Sequence, residues 1–226
     1  KPGSAVRVVD REGRPVGVGF YNPRTEKALR MLARGKVSDP EQLLLDNIHA
    51  AIDLREKILK LPEVTDGYRL IHSEADGVPG LILDRLGDVL VAQVFSLCIE
   101  QRLEEIGQAL KKRFPKARLA LTVDGTARKH EGLQPVPPVR GLRTDVTEQG
   151  IRYQVAAGAG HKTGFFADQR DNRQRIRAMA RGRRVLDLCC NAGGFAMNAV
   201  KGGARSVLAV DLDERQVEVA KANAED

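Results

Sequence analysis

Apolar and polar residues alternate through KPGSAVRVVDREGRPVGVGFYNP, residues 1–23, with a break at Asp10–Gly13. This predicts two short strands joined by a turn. Two strands alone are marginal in water, so the opening is expected to be the remnant of a small β-barrel. Asp39-Pro40 then supplies a helix start, with the acid as N-cap and the proline at the first helical position. Leu44, Ile48, Ala51, Ile52, Arg55 and Leu59 follow at helical spacing and stop before Pro62. Short strands are expected at 68–72, 80–84 and 89–95, a helix over 100–114 stopped by Pro115, and a strand at 118–123. Residues 125–140 carry three prolines and no period, which predicts a surface loop. Runs at 143–146 and 151–156, separated by Glu148-Gln149-Gly150, predict a hairpin.

From Asp168 the pattern changes. An arginine-rich helix is expected over 168–180, then a strand at 184–188, a helix at 194–201, a strand at 206–210 and a helix at 213–224. That order, β-α-β-α, opens a parallel sheet with crossover helices. Only two strands of such a sheet are present, so a truncated α/β fold is expected.

The first of these strands runs into VLDLCCNAGGF, residues 185–195. It delivers Asp187 at its carboxyl end, and Gly193-Gly194 open the next helix, where backbone can approach a ligand closely. Asp211 ends the second strand 24 positions later, where a carboxylate can accept hydrogen bonds from two ribose hydroxyls. A dinucleotide fingerprint needs three glycines. Asn191, Gly193 and Ala196 stand at those places, so a pyrophosphate is poorly served, and no P-loop lysine follows. A carboxylate just before the turn suits a ligand that is positively charged there, as S-adenosylmethionine is. The competing reading is a strand-to-helix turn with glycines for packing and no ligand.

Composition narrows the setting. The 226 residues carry 37 Lys+Arg against 30 Asp+Glu, a formal charge of +7, which admits a polyanion partner such as RNA without requiring one. No apolar run approaches the ~18–20 residues of a membrane span, and the opening residues hold no apolar signal core. Three cysteines, two of them adjacent at 189 and 190, make neither a disulfide framework nor a zinc site. These features favour a cytoplasmic location, with no membrane partner and no metal.

GHKTGFFADQRDNR (160–173) followed by RRVLDLCCNAGGFAMNAVKGGARSVLAVDLD (183–213) resembles the RNA cytosine-C5 methyltransferases that carry a PUA domain and act on large-subunit ribosomal RNA. YRLIHSEADGVPGLILDRLGDVLVAQ (68–93) is similar to the central domain of that family, and GRPVGVGFYNPRTEKALRML (13–32) to the end of its PUA module. His161 stands where the family has glutamine, Cys189 where it has an aromatic, and Asn191 where it has tyrosine. The resemblance implies three units: the end of a PUA-like domain over 1–36, a central α+β domain over 37–157, and the start of a Rossmann-like class I methyltransferase domain over 158–226. It implies S-adenosylmethionine as cofactor and ribosomal RNA as partner, and leaves the oligomeric state open, a homodimer included. Methylation of a guanine nitrogen, and a non-catalytic RNA-binding role, are the competing functions.

On this resemblance Asp187, Asn191, Gly193 and Gly194 are expected to line the methionine end of the cofactor, Asp211 its ribose and Leu212 its adenine. Lys162, Phe166, Asp168 and Arg170 belong to the preceding motif and are expected at the same site. Asp168 is equally placed to cap the following helix, and Phe165 or Phe166 to enter the core. Arg170, Arg173, Arg175 and Arg177 form either a solvated helix face or a phosphate-facing patch. Methylating C5 requires a thiolate that attacks C6. Neither Cys189 nor Cys190 is assigned that role, Cys98 is expected to be buried packing, and the nucleophile is expected beyond Asp226.

Overall fold

The computed structural model describes residues 1–122, 125–134, 141–158 and 163–225. Strands β1 (Ser4–Val9), β2 (Pro15–Tyr21) and β3 (Leu29–Arg34) form an antiparallel sheet in that order. The predicted turn is built by Asp10, whose Oδ1 accepts from the amides of Glu12 and Arg14 at 3.0 and 2.8 Å, with Gly13 at φ +80°. The third strand was not expected, because its alternation in LRMLAR is interrupted by arginines.

Helix α1 (Pro40–Asp53) starts as predicted, with Asp39 Oδ1 accepting from the amides of Glu41 and Gln42, both at 3.0 Å. Leu44, Ile48, Ala51 and Ile52 are its buried stripe, and a wider helical turn over Leu54–Ile58 ends it. The central sheet follows: β4 (Gly67–His72), β5 (Leu81–Leu86), β6 (Val89–Val94) and β7 (Arg118–Thr122), adjacent in that order. The first three are antiparallel neighbours; β7 pairs parallel to β6 and needs a crossover. The crossover is not the single helix expected over 100–114. It is a short helix α2 (Leu97–Glu100) and a longer α3 (Leu103–Arg113), broken at Gln101-Arg102. Arg102 explains the break: its guanidinium bonds the carbonyls of Gly3 and Cys98 at 3.1 and 2.8 Å, pairs with Glu41, and lies 4.4 Å from the Phe20 ring centroid. One core, including Phe20, Leu32, Ile48, Leu70, Leu83 and Ile99, runs under both sheets.

The loop expected over 125–140 opens instead with helix α4 (Gly125–Glu131). Two of its charged residues hide in ion pairs, which is why no apolar period announced it. Arg128, buried, pairs with Glu100, and Glu131, also buried, pairs with Arg30 at 2.9 Å and accepts from Asn22 Nδ2 at 2.9 Å. Strands β8 (Leu142–Glu148) and β9 (Ile151–Ala157) form the predicted hairpin. Its two-residue turn needs positive φ twice, and Gln149 and Gly150 supply +51° and +75°. Val146, Tyr153, Val155 and Ala157 pack with Leu86, Val89, Val91 and Ala120 of the central sheet and with Phe165.

The remaining elements match the expected order: α5 (Arg170–Met179), β10 (Arg184–Leu188), α6 (Gly194–Lys201), β11 (Ser206–Val210) and α7 (Glu214–Glu225). Strands β10 and β11 are parallel, with Asp187 opposite Ala209. The chain is thus a mixed α/β fold with a three-stranded N-terminal sheet, a four-stranded central sheet against which the hairpin packs, and a two-stranded parallel sheet with a helix after each strand. No described helix is long and apolar enough to cross a membrane.

Arg173 is not a surface residue. Its Nε and Nη2 donate to the two oxygens of Glu148, both at 2.7 Å, with both side chains almost fully buried. Its Nη1 donates to the Phe166 carbonyl at 3.0 Å, and the guanidinium lies 5.0 Å from the Phe165 ring centroid. Breaking a buried pair from one side costs about 3–5 kcal/mol, since the partner charge is left unpaired. Arg173→Met is expected to lose about that much in urea unfolding. Adding Glu148→Leu removes the orphaned carboxylate and is expected to restore a large part of it.

Candidate cofactor site

Between β10 and α6 the backbone enters the left-handed region three times, at Cys189 (φ +60°), Asn191 (+48°) and Gly193 (+81°). Glycine and asparagine tolerate this; a cysteine there costs about 1–3 kcal/mol and must be held. The neighbouring bonds hold it. The Cys190 amide donates to Val210 O at 3.0 Å, extending the parallel ladder past the strand, and the Gly193 amide donates to Cys190 O at 2.9 Å. Asp211 Oδ2 accepts from the Asn191 amide at 2.8 Å, and its Oδ1 from the Asp213 amide at 2.9 Å.

The two acids differ electrically. Backbone donors hold the Asp211 carboxyl below the usual carboxylate range. Burial pushes Asp187 above it, and the charge of Asp211 adds to that rise, although Asp187 Oδ2 accepts from the Ala196 amide at 3.0 Å. That last bond caps α6, whose N-cap Gly193 has no side chain to do so.

In front of the turn lies a cleft of about 280 Å³, walled by Val155 of the hairpin, Phe166 and Gln169 before α5, and Cys189, Asn191 and Gly194 of the turn. Behind the turn a larger apolar groove of about 620 Å³ runs between β9, α6 and α7, and Gly193 faces that side.

Residues 137–225 match the family described as S-adenosylmethionine-dependent methyltransferases, and residues 1–34 match the PUA-like domain. The ribosomal RNA large subunit methyltransferase I of Aeromonas hydrophila is 34% identical over 99% of this chain and 58% of its own length. Its namesake from Erwinia tasmaniensis is 33% identical over 100% of this chain and 58% of its own length. Along nearly its whole length the chain is similar to these methyltransferases, and its two ends match the S-adenosylmethionine-dependent methyltransferase and PUA-like families. It spans 58% of the length of those relatives. A solved Streptococcus mutans protein assigned to the S-adenosylmethionine-dependent methyltransferases superposes with a TM-score of 0.78 at 23% identity, over 100% of this chain and 59% of that one. That likeness shows the shared fold.

The structure brings together Phe166, Asn191 and Gly194 at the cleft, with Gly193 at the back of the same turn. Asp187 and Asp211 stand at the carboxyl ends of adjacent strands, each bonded to backbone, and Leu212 beside them is fully exposed. Asp168 does not cap α5. It lies exposed in a 3₁₀ turn over Ala167–Gln169, and Gln169 takes the N-cap without a side-chain bond. Arg69, held protonated chiefly by its hydrogen bonds to Asp84, also feels the charge of Asp168. Arg170 pairs with its neighbour Asp171 at 3.1 Å. Lys162 and His161 lie outside the described residues.

Three supports were missed. Asn223 of α7 accepts from the Gln154 amide at 2.7 Å and donates to Ala192 O at 3.1 Å, tying hairpin to turn. Asn198 of α6 donates to the Tyr153 hydroxyl and to Gly194 O, both at 2.9 Å. Asp84, a charge inside the apolar run LILDRL, is 3% exposed and accepts from Arg69 Nε at 2.8 Å and from Thr163 Oγ1 at 2.6 Å. The signal for each was a polar residue on an otherwise apolar or alanine-rich face. Thr163 anchors the start of Gly164-Phe165-Phe166, which line the cleft, and Thr163→Val, which strips one donor from a buried carboxylate, is expected to cost about 1–3 kcal/mol in chemical unfolding. Thr163→Ser keeps the donor and is expected to recover most of the loss.

Proposed function

We propose that this chain is the cofactor-binding and RNA-holding portion of an enzyme that transfers the methyl group of S-adenosylmethionine to large-subunit ribosomal RNA, at C5 of a cytosine. The observation that carries the cofactor is the pair of carboxylates, Asp187 and Asp211, close enough for one to raise the other's pKa. Two like charges beside an open turn favour a ligand bearing positive charge and disfavour a pyrophosphate. S-adenosylmethionine carries a sulfonium and an ammonium and fits that donor set. Asn191, Gly193, Gly194 and Phe166 would border its methionine end, Asp211 its ribose and Leu212 its adenine, with Lys162, Asp168 and Arg170 nearby. When bound, the cofactor supplies an electrophilic methyl group.

Support for ribosomal RNA comes from the names of the relatives, and for C5 from the family resemblance. The thiols described here do not suit the nucleophile. Cys98 and Cys190 are buried, burial pushes both above the usual thiol range, and the charges of Asp187 and Asp211 add to the rise at Cys190. Cys189 is exposed at the cleft and is better placed as a reporter of the cofactor than as a reactant. We retain the division into residues 1–36, 37–157 and 158–226, and a cytoplasmic setting, as parts of this proposal.

Calorimetric titration with S-adenosylmethionine tests it. Binding of a cationic ligand requires ionised Asp187, whose pKa is raised in the free protein. Affinity is therefore expected to fall by about tenfold per pH unit once the pH drops below that raised value. Without ligand the sign reverses: the native state holds the Asp187 proton more tightly than the unfolded chain, so this group's contribution to stability grows as pH falls. Asp187→Asn is expected to bind weakly with a flatter pH profile, and the cofactor is expected to slow thiol modification of Cys189. RNA binding without any affinity for S-adenosylmethionine would instead favour the non-catalytic reading.

A further inference from the structure

The surplus positive charge is not spread evenly. Arg30, Arg55, Arg69, Arg102, Arg113, Arg118, Arg128 and Arg173 are all paired with carboxylates. At the amino-terminal edge of the β10–β11 sheet the pattern is the opposite. Arg181, Arg183, Arg184 and Arg205 are all exposed there, and among the described residues none makes a side-chain hydrogen bond or an ion pair.

The backbone draws the four together. The Gly182 amide donates to Gly203 O at 2.8 Å, and the Arg205 amide donates to Arg183 O at 2.7 Å. Arg184 is the ladder partner of Ser206, directly after Arg205. Four like charges on adjacent strand ends repel one another. The carbonyl ends of α5 (at Met179) and α6 (at Lys201) meet this edge, and their partial negative charge offsets part of that repulsion. What remains is a surface complementary to an extended anion. No aromatic residue lies in 177–184 or 200–207, so bases have nothing to stack on there. Guanidiniums pair with phosphate oxygens bidentately and read no sequence.

We propose that Arg181, Arg183, Arg184 and Arg205 form an anchor for the RNA phosphate backbone, separate from the cofactor cleft. Strand β10 leads from Arg184 at this edge to Leu188 at the cleft end, about 13 Å at the usual rise. RNA held at the edge therefore leaves the cleft open. The identity of the polyanion rests on the ribosomal-RNA reading above; the site itself rests on the charge geometry.

The test is filter binding of a mixed-sequence single-stranded RNA across a salt series. The wild-type chain is compared with one in which all four arginines become glutamine and with one in which they become lysine. Each phosphate contact contributes about 0.7 to the slope of log affinity against log salt, so the glutamine variant is expected to be shallower by roughly 3 units. The lysine variant is expected to keep most of the slope, and both are expected to bind S-adenosylmethionine like wild type. If the fourfold variant does not fold, Arg181→Gln and Arg205→Gln alone are each expected to lower the slope by about 0.7. An unchanged slope in the glutamine variants overturns the anchor, as does a wild-type chain that binds no RNA. So does an unchanged RNA slope with lost binding to polyglutamate, which would point to an acidic protein partner. A wild-type chain that binds RNA but not S-adenosylmethionine would defeat the methyltransferase reading while leaving the anchor to be decided by the slopes.

Discussion

The buried pair of Arg173 and Glu148 is the constraint on which the cleft depends. Glu148 ends the first strand of the hairpin, and Arg173 lies one turn into α5, so their two bonds of 2.7 Å fix the hairpin to the helix. The third bond, to the Phe166 carbonyl, holds the segment that walls the cleft. Arg173 also explains Gly194. A Cβ on that glycine would lie 3.2 Å from Arg173 Cδ, tighter than ordinary contact, so the first residue of α6 is small partly because the arginine occupies the space. A glycine that looks like a ligand-approach residue in the sequence is therefore also a packing residue. The ion pair, the helix start and the cleft wall stand or fall together.

The same double use appears at the acids. Asp187 caps α6 through one oxygen, and Asp211 braces the left-handed turn through Oδ2 while its Oδ1 accepts from the Asp213 amide. The bonds that position the carboxylates are what keep the strained backbone at Cys189 and Asn191 in place. Structural and ligand-binding readings are thus not alternatives here. A group held by backbone amides is already oriented, and a ligand pays less to use it.

Local grammar made most elements legible. The Asp39 cap, the Pro40 start, the Gln149-Gly150 turn and the strand–glycine–helix sequence from Val185 each depend on residues within a few positions of one another. What escaped depends on distance along the chain. Helix α4 is stabilised by Glu100 and Arg30, far away in sequence, and shows no apolar stripe. The break at Arg102 answers to Glu41 and Gly3. Arg173 read as one arginine of a solvated face or a phosphate-facing patch because its partner, Glu148, lies 25 positions away in the hairpin. At the site, the turn residues were legible and their supports were not. Asn223, Asn198 and Asp84 act through groups of other elements, and nothing next to them in sequence names those partners.

Charge is where this long-range logic becomes functional. A composition of +7 says only that cations outnumber anions. Once the carboxylate-bound arginines are set aside, four exposed ones, Arg181, Arg183, Arg184 and Arg205, stand together at one end of the two-stranded sheet, while the acids Asp187 and Asp211 stand at the other. Parallel strands make that division possible, since all amino ends lie on one edge and all carboxyl ends on the other. An anionic polymer and a cationic small molecule are thereby drawn to opposite edges of one sheet. Neither then competes for the groups that hold the other.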